Sequence, residues 1–314
     1  MNNININNTR KAKIGLMQVT VDYSWTVEQC HEELLFLAEQ CLKDRADLVF
    51  MPEAYQYKTA RNDCSRQELV KKYAQEYKEK CAELAKKYKA YVAPWDYELD
   101  GEGNLYNTSY ILDRQGIEIG RYRKVNTTRY ENVVRGTDFP VFDLDFGKVG
   151  IMICFDNYFP ESAEILSLNG AELILYPLYG DTLKTQWEIK LRARAIDNSV
   201  YVAPCQISPH PREEKFSFSG IVDPEGEVIC RLNEDRTYKV VEIEPGKKVI
   251  TNTSVSPNTC EDIKQYLLKS RNVEAYGPIS EKRKVLDWDE IFFNREKGSW
   301  HKTVKMAAKV QTKF

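Results

Sequence analysis

The sequence predicts a mixed α/β fold in which helices pack outside β-sheets that contain both parallel and antiparallel strands. Apolar runs of strand length alternate with longer segments whose apolar residues recur every three or four positions, which is the helical period. This alternation gives way twice to strand–turn–strand patterns, over 107–123 and around the PEG turn at 224–226. A purely parallel barrel would keep the alternation throughout, so mixed sheets with outer helices fit the pattern better.

The N-terminal half predicts a strand over 13–20, where KIGLMQVT is an apolar run. Cys30, Leu34, Leu37 and Cys41 recur at helical spacing and predict a helix over 27–44. DLVFM at 47–51 is typical of a buried parallel strand, and Pro52 ends it because proline has no amide hydrogen for the ladder. Glu53 therefore follows a strand end directly. Beyond it, the patterns predict a helix over 66–88 and strands over 90–98, 107–113 and 116–123.

The C-terminal half predicts an irregular loop over 125–139 and then a hairpin in VFDLDFGKVGIMICFD, whose second strand, VGIMIC, ends at Cys154. A helix is expected to begin at Pro160 and end at Gly170, since proline suits the first helical position and glycine the position after the last. The remaining predictions are a strand over 172–177, a helix over 183–199, a strand over 201–207, a hairpin over 218–230, a strand over 237–245 and a short helix over 261–271.

The 314 residues are expected to form one main domain over 11–250, because sandwiches of roughly 250 residues often remain single domains. The Asn-rich residues 1–10 are predicted to be a polar tail. Residues 251–314 are predicted to be an extension that packs on the domain or on a sister subunit. The segment 246–314 holds 14 Lys and Arg against 8 Asp and Glu. We interpret this excess as a solvated surface rather than a contact for nucleic acid or lipid.

Composition argues against several classes of protein. The 45 basic and 47 acidic residues give a net charge of −2, which favours neither nucleic acid nor an anionic membrane as partner. No apolar run approaches the roughly 20 residues that span a bilayer. The N-terminus lacks the apolar stretch of a signal peptide, and the eight cysteines show no CxxC spacing. We therefore expect a cytoplasmic protein with reduced thiols.

Familiar catalytic motifs are missing from the sequence. HEELL at 31–35 begins like the zinc-protease HExxH but has Leu35 in place of the second histidine. GxGxxG, the P-loop and GxSxG are absent, and no Cys/His cluster has metal-ligand spacing. None of the three histidines lies at the end of a predicted strand, and His31 is expected on a helix surface. A Cys–His enzyme is therefore not favoured.

Three side chains at strand ends or in loops carry complementary chemistry: Cys154, Glu53 and Lys124. A thiol attacks a carbonyl as the thiolate, so another group has to take its proton. Glu53 suits this role if burial raises its pKa toward neutrality, and it then returns the proton to a leaving amine. Lys124 and a backbone N–H beside the nucleophile would hold the oxyanion.

The sequence resembles the nitrilase superfamily of carbon–nitrogen hydrolases from about Lys13 to about Ile243. The motifs that carry the resemblance are DLVFMPEAY, GRYRKVN, GKVGIMICFDNYFPESAEILSLNGAELILYP, RARAIDNSVYVAPC and SGIVDPEGEV. The order Glu53, Lys124, Cys154 and the spacings of 71 and 30 residues match the pattern of that family. The resemblance implies a Cys–Glu–Lys triad and a carbon–nitrogen hydrolase domain over 11–250.

The resemblance also implies a four-layer αββα sandwich of two mixed β-sheets with outer helices, and a homodimer or higher even homo-oligomer. Glu131 corresponds to a second glutamate that supports the lysine in many members. Lys124 and the Phe155 backbone N–H would form the oxyanion hole. The chemistry needs no metal or organic cofactor.

The branch of the superfamily is less sharply predicted. Nitrilases usually have Glu where this chain has Asp156, which favours the amidase and carbamoylase branches. D-amino-acid carbamoylases have two arginines at the places of Asn157 and Tyr158, so a substrate carboxylate lacks an obvious partner here. The residues expected to line the substrate pocket are Asn157, Tyr158, Tyr179, Asp181 and Thr182. The favoured hypothesis is hydrolysis of a linear amide or carbamoyl-amine; the alternatives are a nitrilase and an inactive binding or scaffold protein.

Overall fold

The computed structural model describes residues 10–20, 22–57, 65–128, 131–180, 184–208, 218–252, 260–281, 292–294 and 299–301. Its helices within these ranges are α1 (Val27–Lys43), α2 (Arg66–Tyr88), α3 (Pro160–Leu168), α4 (Lys184–Asn198), α5 (Ile263–Ser270) and α6 (Gly277–Ser280). Its strands are β1 (Ala12–Thr20), β2 (Leu48–Phe50), β3 (Tyr91–Ala93), β4 (Trp95–Leu99), β5 (Leu105–Leu112), β6 (Glu118–Arg123), β7 (Val141–Leu144), β8 (Gly147–Ile151), β9 (Leu173–Leu178), β10 (Tyr201–Ser208), β11 (Gly220–Val222), β12 (Val228–Arg231), β13 (Thr237–Ile243), β14 (Ile250–Asn252), β15 (Cys260–Asp262), β16 (Phe292–Asn294) and β17 (Ser299–His301).

In the described ranges, strands β1 to β13 form one large mixed sheet, with β4-β5-β3-β2-β1-β10-β9-β8-β7 as its main order. Strand β13 pairs antiparallel with β1, β6 pairs with β5, and β11 and β12 form a hairpin beside β10. The two halves of this sheet meet where β1 pairs in parallel with β10, through Val19 with Ile207 and Thr20 with Ser208. The mixed α/β prediction is therefore confirmed.

The helices lie against both halves of the sheet. Helices α1 and α2 contact β1 to β4, whereas α4 contacts β10 and β11 and packs beside α3. Capping boxes begin α1 at Thr26 with Gln29 and α2 at Ser65 with Glu68, so local polar side chains satisfy the first free N–H groups. Pro160 is the first residue of α3, as predicted.

One hydrophobic cluster runs through both halves of the sheet and includes Trp95, Tyr77 and Trp187 among its fully buried side chains. His31 also belongs to the interior, with 6% of its surface exposed, because its ring stacks on Tyr77 of α2 at 4.3 Å. The expectation that His31 lies on a helix surface is wrong, since α2 covers that face of α1. No helix in the described part of the chain is long and apolar enough to cross a membrane.

Most predicted elements are confirmed, and two strands differ from expectation. The strand predicted over 90–98 is divided into β3 and β4 at Pro94, which has no amide hydrogen for the ladder. The strand predicted to end at Cys154 stops at Ile151. Cys154 instead begins a 3-10 turn, Cys154–Tyr158, and this change shapes the site described next.

Candidate active site

Three chain segments bring a carboxylate, an ammonium and a thiol together in the interior. Glu53 follows the end of β2, Lys124 follows β6 directly, and Cys154 follows β8. Lys124 Nζ lies 2.9 Å from Glu53 Oε1, and the Cys154 thiol lies beside the same carboxyl group, close enough to influence its pKa. The three side chains that the sequence singled out therefore meet at one point of the fold.

Glu131 completes a second ion pair on the same lysine. Its Oε1 lies 2.9 Å from Lys124 Nζ and accepts a hydrogen bond from the backbone N–H of Thr128 at 2.9 Å. The loop that carries Glu131 is held close to the strand end, since Gly136 N–H donates to the Lys124 carbonyl. A Cβ at Gly136 would lie 2.0 Å from the Arg123 carbonyl oxygen, so only glycine allows this approach.

Burial and charge together set the protonation of the site. Lys124 is 1% exposed and Glu53 5%. Burial by itself raises the pKa of Glu53, but the Lys124 ammonium and the hydrogen bonds outweigh it and leave this pKa below its usual range. Burial lowers the pKa of Lys124, but the neighbouring negative charges raise it well above the ordinary value. Burial alone would raise the Glu53 pKa, as the sequence analysis required of a base, but the contact with Lys124 reverses the direction.

The thiol holds its proton in this arrangement. Burial and then the charge of Glu53 raise the pKa of Cys154 well above the ordinary thiol value. The resting site consequently contains a neutral thiol beside an ionised carboxylate and an ammonium. Such a carboxylate is ready to accept a proton as soon as the sulfur begins to bond to carbon.

The backbone at Cys154 has an uncommon conformation. Its φ of 44° lies in the left-handed region, which non-glycine residues rarely adopt and which costs on the order of 1–3 kcal/mol. Tyr176 of β9 supports this conformation by donating its hydroxyl to the Cys154 carbonyl at 2.9 Å. The sharp turn separates Cys154 from the strand and directs the chain into the 3-10 turn that follows.

Comparisons with known proteins identify the family. The family model described as carbon–nitrogen hydrolase matches residues 13–247. This chain belongs to the carbon–nitrogen hydrolases. Its predicted place in the nitrilase superfamily is thereby confirmed.

Two relatives and one solved structure illustrate the likeness. Omega-amidase NIT2 of Xenopus tropicalis is 30% identical over 234 residues, which cover 66% of this chain and 80% of that protein. Probable nitrilase C965.09 of Schizosaccharomyces pombe is 35% identical over 136 residues, 42% of this chain, and the match spans only 50% of that protein. The carbon–nitrogen hydrolase structure from Helicobacter pylori G27 has a TM-score of 0.73 at 20% identity, covering 87% of this chain and 99% of that one.

In this carbon–nitrogen hydrolase, Asp156 joins the cysteine turn to the lysine strand. One oxygen, Oδ2, accepts from the Tyr122 hydroxyl at 2.7 Å and from the Ile153 N–H at 2.9 Å. The other, Oδ1, accepts from the backbone and side-chain N–H groups of Asn126 at 2.9 and 3.0 Å. Sequence reasoning used Asp156 only to choose a branch and missed this bridging role, because the two segments are about 30 residues apart along the chain.

The residues that sequence analysis expected around the substrate lie in different surroundings. Phe155 is the second residue of the cysteine turn, and Tyr179 donates its backbone N–H to Glu53 Oε2 at 3.2 Å. Asn157 is buried in the turn, where Arg194 donates to its carbonyl at 3.0 Å. The ring of Tyr158 is half-buried under the ammonium of Lys190. Asp181 and Thr182 lie outside the described residues.

A further side chain, Asn107 of β5, touches the charged groups and was missed by sequence reasoning. It is 1% exposed and contacts both Glu53 and Glu131. The signal available in the sequence was a polar amide inside LYNTSYIL, a segment otherwise typical of a strand. A single polar residue of this kind does not indicate its partners, because they lie 54 and 24 positions away.

Proposed function

We propose that this chain hydrolyses the C–N bond of a linear amide or carbamoyl-amine through a thioester on Cys154. The observation that carries the proposal is the buried contact of the Cys154 thiol with Glu53, whose carboxyl group also pairs with Lys124. Nucleophile, base and cation lie within bonding reach of one another, which is the arrangement that acyl transfer by a thiol needs.

In the first half-reaction Cys154 transfers its proton to Glu53 as sulfur bonds to the substrate carbonyl carbon. Lys124 and the backbone N–H of Phe155 hold the oxyanion, and each donor of this kind typically contributes about 3–4 kcal/mol. Glu53 then gives the proton to the departing nitrogen as the C–N bond breaks. The products of this step are ammonia or an amine and the Cys154 thioester.

In the second half-reaction Glu53 takes a proton from water as the oxygen attacks the thioester carbonyl. The C–S bond breaks, the acid leaves, and the proton returns to the sulfur of Cys154. The lowered pKa of Glu53 supports this cycle because the carboxylate is ionised at neutral pH before it accepts a proton from Cys154 or from water. Glu131 stabilises Lys124 throughout by its ion pair.

The substrate class rests on the turn after the nucleophile. Asn157 and Tyr158 occupy the places of the carbamoylase arginines, so we favour linear carboxamides over N-carbamoyl amino acids. The likeness to omega-amidase NIT2 supports an amide substrate. The second candidate is a nitrilase, which the likeness to probable nitrilase C965.09 supports. It predicts ammonia and acid from a nitrile without turnover of amides.

The test is ammonia release by the purified protein over linear amides, ureas, carbamoyl-amines and nitriles. Wild type is expected to release ammonia from an amide, and Cys154→Ala and Cys154→Ser are expected to release none while folding normally. Cys205→Ala is the matched control, since Cys205 is a fully buried core thiol and should retain activity. A thioester adduct on the Cys154 peptide would identify the acyl half. Substantial turnover by Cys154→Ala would refute the nucleophile.

We also infer that the two halves of the sheet stack as the inner layers of an αββα sandwich, which the shared core and the helices on each half support. A homodimer or higher even assembly is supported by apolar side chains left exposed on α3 and α4, namely Ile165, Leu168, Ile189 and Ile196. Light scattering on the purified protein tests the assembly, and a monomer at micromolar concentration would contradict it.

A further inference from the structure

The amide of Asn107 bridges two carboxylates of the site. Its Nδ2 donates to Glu53 Oε1 at 2.8 Å and to Glu131 Oε2 at 3.0 Å. Its backbone carbonyl also accepts from the Lys124 N–H at 2.8 Å. One neutral residue therefore contacts all three charged residues that surround the nucleophile.

Trp95 fixes the direction in which this amide points. Its indole Nε1 lies 2.7 Å from Asn107 Oδ1, and an indole N–H can only donate. The oxygen of Asn107 must therefore face Trp95, which leaves both amide hydrogens for the two carboxylates. Trp95 is fully buried in the core, so this orientation is held by packing as well as by the hydrogen bond.

The Asn107 bridge reduces the electrostatic cost of placing two carboxylates beside one ammonium. Glu53 and Glu131 share one ammonium, and like charges that share a site raise the pKa of one of them. A hydrogen bond from a neutral amide favours the ionised form of Glu53 without adding a charge. The Asn107 bond accordingly helps to lower the pKa of Glu53.

The bridge also fixes the direction of the lysine. In the described part of the structure, two of the three N–H hydrogens of Lys124 serve Glu53 and Glu131. If the two carboxylates are held in a fixed relation, the third hydrogen has a fixed direction and is available to the substrate oxygen. If they separate, the ammonium follows one of them and that direction is lost.

We propose that Asn107 is a positioning residue that holds Glu53 and Glu131 together on Lys124, with Trp95 setting the orientation of its amide. This inference rests on the proposed function, because its purpose is to keep Glu53 ionised as the base and Lys124 directed at the oxyanion. It assigns a role to a side chain whose hydrogen bonds go to Glu53, Glu131 and Trp95.

The experiment compares four variants with wild type in kcat/KM against pH. Asn107→Ala is expected to lower kcat/KM about 100-fold through misplacement of the catalytic groups. It should also raise the acid limb of the profile, the pH below which kcat/KM falls, by about one pH unit. The free energy of a lost hydrogen bond to a charged group corresponds to a pKa change of about that size. Asn107→Asp should move the acid limb further, since it adds a third carboxylate. Trp95→Phe should move it in the same direction by less.

Tyr106→Phe is the matched control. Tyr106 precedes Asn107 on β5, and its hydroxyl donates to Asp100 at 3.3 Å, away from the triad. Its pH profile should superimpose on that of wild type. A loss of turnover in Asn107→Ala with the acid limb unmoved would mean that Asn107 only supports the fold, and this would overturn the proposal.

A second measurement needs no substrate and separates this inference from the proposed function. The rate of Cys154 alkylation by iodoacetamide, followed by peptide mass, is measured against pH in each variant. Its acid limb should move as the acid limb of kcat/KM does, even if wild type turns over no amide. Wild-type alkylation profiles in both Asn107→Ala and Trp95→Phe would overturn the proposal. If Asn107→Ala does not fold, the milder Trp95→Phe decides.

Discussion

Replacing Lys124 by methionine removes the cation that two buried carboxylates share. Glu53 and Glu131 each lie 2.9 Å from the ammonium, and the lysine side chain is 1% exposed. Removing one partner of a buried ion pair typically destabilises a protein by about 3–5 kcal/mol, because the remaining charge is left without compensation. At about 2–4 °C per kcal/mol, the melting temperature at pH 8 should fall by roughly 10 °C.

The loss should depend on pH, and its sign can be worked out. In wild type the pKa of Glu53 is lowered, so its contribution to stability is present above the unfolded pKa of about 4.3 and is lost as pH falls. In the variant, burial and the charge of Glu131 raise the pKa of Glu53. A raised pKa gives stability at low pH that is lost as pH rises. The difference from wild type should therefore be small near pH 5 and largest near pH 8.

Thermal unfolding followed by circular dichroism at pH 5, 6, 7 and 8 measures this difference. Lys78→Met is the control, because its pair with Glu118 at 3.0 Å is 30% exposed at the lysine and should contribute at most about 1 kcal/mol at every pH. Adding Glu53→Gln to Lys124→Met removes one uncompensated carboxylate and should restore part of the melting temperature. Equal losses at pH 5 and pH 8, or a loss no larger than that of Lys78→Met, would refute the reasoning.

Two other substitutions test residues other than Glu53, Lys124 and Cys154. Asp156→Asn places an amide hydrogen against groups that donate hydrogen bonds to the native carboxylate. We expect the free energy of unfolding to fall by about 2–4 kcal/mol and kcat/KM to fall roughly 10–100-fold. Wild-type values of both would contradict the bridging role of Asp156. Burial lowers the pKa of His31 to about 4. Its contribution to the free energy of unfolding is therefore fully present above pH 6.5 and is lost as pH falls toward 4. The loss at pH 5 amounts to about 2 kcal/mol. His31→Phe should flatten urea-unfolding stability between pH 8 and pH 5, and an unchanged slope would count against this account.

The elements could be predicted because their signals are local. Apolar runs mark β1 and β2, and the helical period marks α2, whose bounds Arg66–Tyr88 match the prediction. The split at Pro94 and the turn at Cys154 were missed, although both depend on short segments. The run VGIMIC contains no residue that signals a left-handed conformation at Cys154. That conformation is supported by the tertiary contact with Tyr176, which the local sequence pattern does not show.

Residues of the candidate site could likewise be predicted where their signals are local, and not where they depend on tertiary contacts. Glu53, Lys124 and Cys154 were found through motifs, each of which is contiguous in the sequence. Asn107 was not found, because its role exists only when β5 carries it between residues from two other segments. Its function is defined by distances that no spacing along the chain encodes.

The direction in which the Glu53 pKa shifts is an example of a property that depends on a distance in the folded structure. Burial and the Lys124 contact act on this carboxyl in opposite senses, and only the separation of 2.9 Å determines that the cation prevails. With an ionised Glu53 beside a thiol of raised pKa, proton transfer in the empty site is unfavourable. Under the proposed mechanism, transfer becomes favourable only as sulfur bonds to the carbonyl carbon and the oxyanion forms against Lys124. The same contacts that keep Glu53 ionised as the base therefore keep the Cys154 thiol protonated, and less reactive, until substrate binds.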